Sequence, residues 1–413
     1  MRIAVVGSGI SGLVAAHLLS RAHEVTLFER GQRLGGHTHT HDVRRDDGPW
    51  RVDTGFIVFN DRTYPNFTKL LAHLGVESQQ SDMSFSVRCE RTGLEYNGTS
   101  LNTLFAQRSN LFRPSFHRMV RDILRFHREA RALLEPGPEI SFGEWLARGR
   151  WSSEFREHYL FPMCAAIWSS SLDDVNGFPA RNFAHFFENH GMLSVDDRPV
   201  WRTVKGGSDR YVGPITAPFR DRIRLGTPVE RIRRSETHVD VQPRGGTVEQ
   251  FDAVVIAAHS DQALGMLADP SEAERQVLGA IPYRPNEAAL HLDARVMPRR
   301  PLAHASWNFH LTGERAPHPT LTYDMNRLQR LGSRERFLVT LNRTADLDPE
   351  KVLATMTYEH PTYTTAATAA QARRAEVNGV RRTWFAGAYW GWGFHEDGVR
   401  SALAVAKDFG ISL

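Results

Sequence analysis

The sequence predicts an α/β protein in which a nucleotide-binding domain on a parallel sheet is interrupted by a second domain of mixed sheet and helices. Three observations carry that expectation. The chain opens on an apolar strand, a glycine turn, a helix and a second strand closed by an acid. Far downstream, a buried strand is expected at Ala253 to Ala257, and a glycine- and aromatic-rich ending at 387–398 leads into a helix from about Gly398. The length of 413 residues exceeds what one hydrophobic core usually supports.

Taken in order, Ile3 to Val6 form the first strand, and Gly7, Gly9 and Gly12 give GxGxxG. Leu13 to Leu19 is a helical run, Val25 to Phe28 the second strand, and Glu29 its closing acid. Each part has a physical task in a Rossmann-like dinucleotide site. Gly7 permits the tight turn, Gly9 lets a pyrophosphate approach the backbone, Gly12 lets the helix pack on the strand, and the helix N-terminus faces the phosphates. Glu29, 22 residues after Gly7, is placed to accept hydrogen bonds from a ribose diol. The stretch "ERGQRLGGHTHT" adds a second glycine turn, Gly35 and Gly36, with the cation Arg33, and favours FAD over NAD.

These residues resemble the flavin amine oxidase superfamily, which includes amine oxidases and phytoene-type desaturases, and whose opening runs E-x-x-x-R-x-G-G-x-x-x-T. Glu29, Arg33, Gly35, Gly36 and Thr40 match it, while His37 stands where the family usually has arginine. The segments "VDTGFIVFNDRTYPNF" (52–67) and "GAYWGWGFHEDG" (387–398) are similar to those of bacterial FAD oxidoreductases often encoded near cyclopropane-fatty-acid synthases. The resemblance implies an amine-oxidase-like fold with FAD as cofactor. It implies cofactor contacts at Ser8, Ser11, Arg30, His37, Thr38, Gly55, Phe56, Ile57 and Gly387, besides the residues above. It also implies that the backbone at Val229 holds the adenine. Gly398 and Val399, at the start of a last helix expected from about Gly398, would approach the flavin ring.

On that basis the FAD-binding domain is expected to be discontinuous, over 1–80, 203–285 and 370–413, with 81–202 and 286–369 forming the substrate side. No second GxGxxG with an adjoining strand and helix occurs, so electrons are expected to come from a substrate and leave to oxygen, a quinone or a protein. In the ending, Tyr389, Trp390, Trp392 and Phe394 are expected to line a flat apolar slot, and His395 with Glu396 to handle protons. The competing expectation is that the rings merely cap the sheet and that Glu396 or Asp397 caps the helix. Tyr358 and His360 in "YEHP" form a second pair within reach of the pocket. His37, His39 and His41 share one side of an extended segment, but their place after the cofactor turn favours hydrogen bonding near the flavin, and no metal site is expected.

Composition narrows the rest. The two cysteines, Cys89 and Cys164, lie far apart and suit a reducing cytoplasm. No apolar run reaches the roughly 20 residues of a spanning helix, and "MRIAVVG" is too short for a signal-peptide core. The net charge of +4 is concentrated: residues 101–131 carry seven arginines against Asp122 and Glu129. General nucleic-acid binding is not expected. The basic amphipathic segment 114–134 is expected first as a helix packed on the domain with a solvated arginine face, and as the alternative in peripheral contact with the inner membrane face. The reading is an FAD-dependent oxidoreductase that dehydrogenates an apolar small-molecule or lipid substrate, fatty-acyl chains or phospholipid being the class in view. Amine oxidation, fatty-acid isomerisation and a non-catalytic scaffold for a lipid enzyme are the alternatives.

Overall fold

The computed structural model describes residues 1–413 apart from 139, 169–175, 194–198 and 314–319. Its central element is a five-stranded parallel sheet in the order Ile223–Arg224, Glu24–Phe28, Arg2–Val6, Ala253–Ile256 and Thr383–Phe385. Strands buried on both faces must be apolar throughout, which is why "IAVV" and "AVVI" show no polar alternation. The alternation appears in what they pack against. Ile3, Val5, Val25, Leu27, Ala253 and Val255 meet the helices Ile10–Leu19 and His395–Asp408 on one face. Ala4, Val6, Phe28, Val254, Ile256 and Phe385 face an antiparallel sheet, Val229–Arg234, Val239–Pro243 and Glu249–Phe251. A period of two thus sorts side chains into the two layers.

A second, seven-stranded sheet runs in the order Val352–Pro361, Tyr283–His291, Leu338–Leu341, Leu321–Asp324, Trp307–Leu311, Phe85–Cys89 and Leu94–Asn97. Its first two strands pair over nine positions, carrying Tyr283–His291 across the expected boundary at 285. Phe116 and Met119 of the helix Pro114–Glu129 pack beneath this sheet, and Phe126 enters a separate aromatic cluster with Phe142, Phe155, Phe183 and Phe187. The apolar stripe of that helix is therefore spent inside the protein.

Two helix boundaries differ from the sequence reading. The helix after the glycine turn starts at Ile10 rather than Leu13. The last helix starts at His395, so Gly398 and Val399 lie inside its first turns. No helix among the described residues is long and apolar enough to cross a membrane.

Candidate cofactor and substrate site

A cavity of about 1120 Å³ runs from the glycine turn into the seven-stranded sheet. Its nucleotide end is lined by Gly7, Ser8, Gly9, Ser11, Glu29 and Arg30, with Val229 and Arg244 beyond them. Gly7 has φ +101°, a conformation open to glycine, and a Cβ there would sit 2.6 Å from the Ala257 carbonyl oxygen. At Gly9 a Cβ would meet nothing within 4 Å, so its missing side chain is open space on the cavity wall. Glu29 accepts from the Ser8 amide (2.9 Å), the Ser8 hydroxyl (2.6 Å) and the Gly31 amide (2.7 Å). A carboxylate has about four acceptor sites, so one remains for a ribose hydroxyl.

The middle wall is formed by Gly35, Gly36, His37, Gly55, Phe56, Ile57, Gly387, Tyr389, Trp392, Phe394 and His395. The His37 Nε2 and the Tyr363 hydroxyl, both on this wall, are buried with no hydrogen-bond partner among the described residues. Burial and the neighbouring His360 and His259 hold the His37 imidazole well below its ordinary pKa. His395 stacks on Phe56 with ring centroids 3.5 Å apart, and its Nε2 lies 3.0 Å from the Thr38 hydroxyl and 3.2 Å from the Tyr211 hydroxyl. Burial pushes its pKa down to about 3. At neutral pH this is a neutral ring held between the Thr38 and Tyr211 hydroxyls.

Several other expected contacts fall behind the wall. Glu396 accepts from the Asn66 amide and side chain and from the Phe67 amide (2.9 Å), capping the helix Pro65–His73 instead of facing the cavity. Asp397 accepts from the Trp392 amide (2.9 Å) and the Phe394 amide (3.1 Å), which fixes the turn into the last helix. Trp390 donates to the Phe385 carbonyl (3.0 Å) and packs away from the cavity. Arg33 braces the double-glycine loop by donating to the carbonyls of Gly36 (2.7 Å) and Thr38 (2.9 Å). Thr38 is buried against Tyr211 at 2.5 Å. Gly12 presses on the Gly7 carbonyl, and a Cβ at Gly398 would sit 2.6 Å from Ile10 Cγ2, so both glycines serve helix packing. Val399 lies in the same core.

The far end is aromatic and rich in methionine: Met83, Phe85, Tyr96, Tyr159, Met163, Phe186, Met192, Trp201, Trp307 and Tyr323. Glu359 is the one acid among the described lining residues of 81–202 and 286–369, and it faces His259 Nδ1 at 3.5 Å. The sequence reading missed this chamber, because its rings come from strands and helices with no shared motif. It also missed Asp53, which "VDTGF" signals as an acid at the end of an apolar strand. Asp53 accepts from Thr40 (2.6 Å), Ser208 (2.9 Å) and Gln329 (2.9 Å) and ties the substrate side to the glycine pair 206–207. His39 and His41 bond Tyr358 and Thr54, each at 3.1 Å.

The sequence profile described as flavin containing amine oxidoreductase matches residues 10–315, most of the chain. The chain belongs to that family. Its cofactor is FAD. The flavin amine oxidoreductase fold extends over the whole chain: wild-type putrescine oxidase aligns at TM-score 0.69 with 18% identity, covering 99% of both chains. A fatty acid isomerase from P. acnes that produces CLA aligns at TM-score 0.65 with 15% identity, over 99% of this chain and 98% of that one. Among relatives by sequence, the L-amino acid dehydrogenase of Synechocystis sp. is 25% identical over 270 residues, 61% of this chain and 54% of that protein. The chain spans about half the length of the curated relatives it matches.

The residues fit the cofactor. Gly9 offers backbone with no side chain in the way, Glu29 keeps an acceptor for ribose, and the orphaned His37 Nε2 faces the same continuous slot. The amides of His395, Glu396 and Asp397 open the last helix beside that slot, where a helix N-terminus favours negative charge.

Proposed function

We propose that this protein is an FAD-dependent oxidoreductase that dehydrogenates an apolar acyl chain. When bound, FAD supplies the acceptor for a hydride taken from a substrate carbon, the accompanying proton leaving to the polar part of the wall. The observation that carries the reading is the far chamber, where aromatic and methionine side chains replace charge. A cationic amine would need an acid or an aromatic cage and an amino acid a cation; the one acid among these lining residues, Glu359, lies 3.5 Å from the His259 ring, which burial holds below its ordinary pKa. Tyr363 and Trp392, with ring centroids 6.0 Å apart, form an apolar wall beside His395 that excludes water and orients a chain.

Delivery from a membrane accompanies the reading. Gly98 and Thr99 on the cavity wall are exposed, and they lead to Leu101, 78% exposed, and on to Phe112, 86% exposed. Arg108, Arg113, Arg121 and Arg128 form no ion pair among the described residues, and Leu124, 56% exposed, sits on the helix face between the last two. Apolar tips among unpaired arginines suit an anionic bilayer. The test is anaerobic flavin bleaching with anionic phospholipid vesicles, against putrescine and L-amino acids as controls. Bleaching by vesicles alone, slowed several-fold by Phe112→Asp, is expected. Bleaching by an amine or amino acid and by no lipid would overturn it.

A further inference from the structure

His360 lies on the cavity wall in the strand Val352–Pro361, beside His37 at a ring-centroid distance of 5.3 Å. Its tautomer follows from a chain of hydrogen bonds that begins at a group able only to donate. The Glu287 backbone N–H donates to Asn342 Oδ1 (3.0 Å), so the other face of that amide is the NH₂. Asn342 Nδ2 then donates to Asn286 Oδ1 (3.0 Å), which turns the Asn286 NH₂ toward His360. Asn286 Nδ2 donates to His360 Nδ1 (3.1 Å). A ring nitrogen that accepts has no proton, so a neutral His360 carries its hydrogen on Nε2. Asn342 holds its place at φ +57°, a left-handed conformation asparagine tolerates. Asn286 is 1% exposed, shielding the relay from water that could reverse it. Burial pushes the His360 pKa down to about 4, so the ring stays neutral across the physiological range.

We propose that His360 Nε2–H is a fixed, uncharged donor that binds a neutral carbonyl oxygen in the cavity, with Asn286 and Asn342 as positioning residues that set its tautomer. Such an oxygen can come from the ester of an acyl substrate, which rests on the function proposed above, or from a ring carbonyl of FAD. A neutral donor suits either, since a charged imidazolium would be costly in this apolar chamber and would select for anions.

The test reads the ring directly. Nitrogen NMR of protein labelled with ¹⁵N-histidine, with His360→Gln used to assign the signal, is expected to show a protonated Nε2 and an unprotonated Nδ1, unchanged between pH 6 and 8. Asn286→Asp is expected to reverse the pattern by placing an acceptor against Nδ1. Two binding arms then separate the sources of the oxygen. A roughly tenfold or greater loss of FAD affinity in His360→Phe marks the cofactor. Unchanged FAD affinity, with KM raised for ester-bearing lipid and not for the free hydrocarbon, marks the substrate. A protonated Nδ1 in the wild-type protein, or wild-type behaviour of His360→Phe in both arms, overturns the proposal. The tautomer and FAD arms stand even if no lipid is ever dehydrogenated, so the two readings fail separately.

Discussion

At the scale of single residues, buried polar groups hold the site together, and Asp53 shows how. Its Oδ2 accepts from Gln329 Nε2 while its own backbone N–H donates to Gln329 Oε1 at 2.8 Å, so the orientation of the glutamine amide is fixed. Asp53→Asn would set two NH₂ groups against each other, and a buried mismatch of this kind costs about 1–3 kcal/mol. The double variant Asp53→Asn with Gln329→Glu returns an acceptor to that place and is expected to recover most of the loss in thermal denaturation. Equal losses in both variants would contradict the pairing. The glycines and Glu29 were legible in the sequence because a nucleotide site forces backbone geometry, and geometry forces residue type. Glu396 and Trp390 were not, because an acid that caps a distant helix and one that serves a cavity look alike in one dimension. Only the fold shows that Asn66 and Phe67 claim the Glu396 carboxylate.

At the scale of elements, strands read better than helix ends. The parallel strands announce themselves as apolar runs, and the unbroken burial of Ile10–Leu19 follows from its position between the sheet and the last helix. The last helix starts at His395, three residues before the Gly398 expected from sequence, because that glycine is a contact surface for Ile10 and not a terminus. The stripe of Pro114–Glu129 was legible as amphipathic, but periodicity cannot say whether a stripe meets lipid or protein. Here Phe116, Met119 and Phe126 face protein, and the membrane proposal passes to the exposed Phe112 and Leu101. The order of the seven-stranded sheet, which pairs Trp307–Leu311 with Phe85–Cys89 across more than 200 residues, left no local trace in the sequence.

At the scale of the whole molecule, a cavity walled by neutral imidazoles ties stability to pH. His190 and His360 are pushed down to about 4 and His395 to about 3, each chiefly by burial. Unfolded histidine titrates near 6.5, so on acidification the unfolded chain takes up protons that the folded chain refuses. This stability is complete above about pH 6.5 and is lost as the pH falls toward 4, at about 1.4 kcal/mol per pH unit for each of the three rings. Asp53 and Asp397, raised by burial to about 7 and about 6, act in the opposite sense over the same range, so the histidine part is read from a difference. Denaturant unfolding followed by tryptophan fluorescence is expected to lose stability less steeply between pH 6.5 and 5 in His190→Asn than in wild type, and equal slopes would contradict the neutral ring. Everything functional rests on FAD lying along Gly7–Gly12, and visible absorbance during titration of cofactor-stripped protein with FAD measures that most directly. The account predicts uptake of flavin colour that survives gel filtration. It further predicts that Gly9→Ala, whose methyl group points into open cavity and leaves the fold intact, binds at least about tenfold more weakly, about 1.4 kcal/mol. Folded wild-type protein that stays colourless, or Gly9→Ala that binds FAD as tightly as wild type, would contradict it.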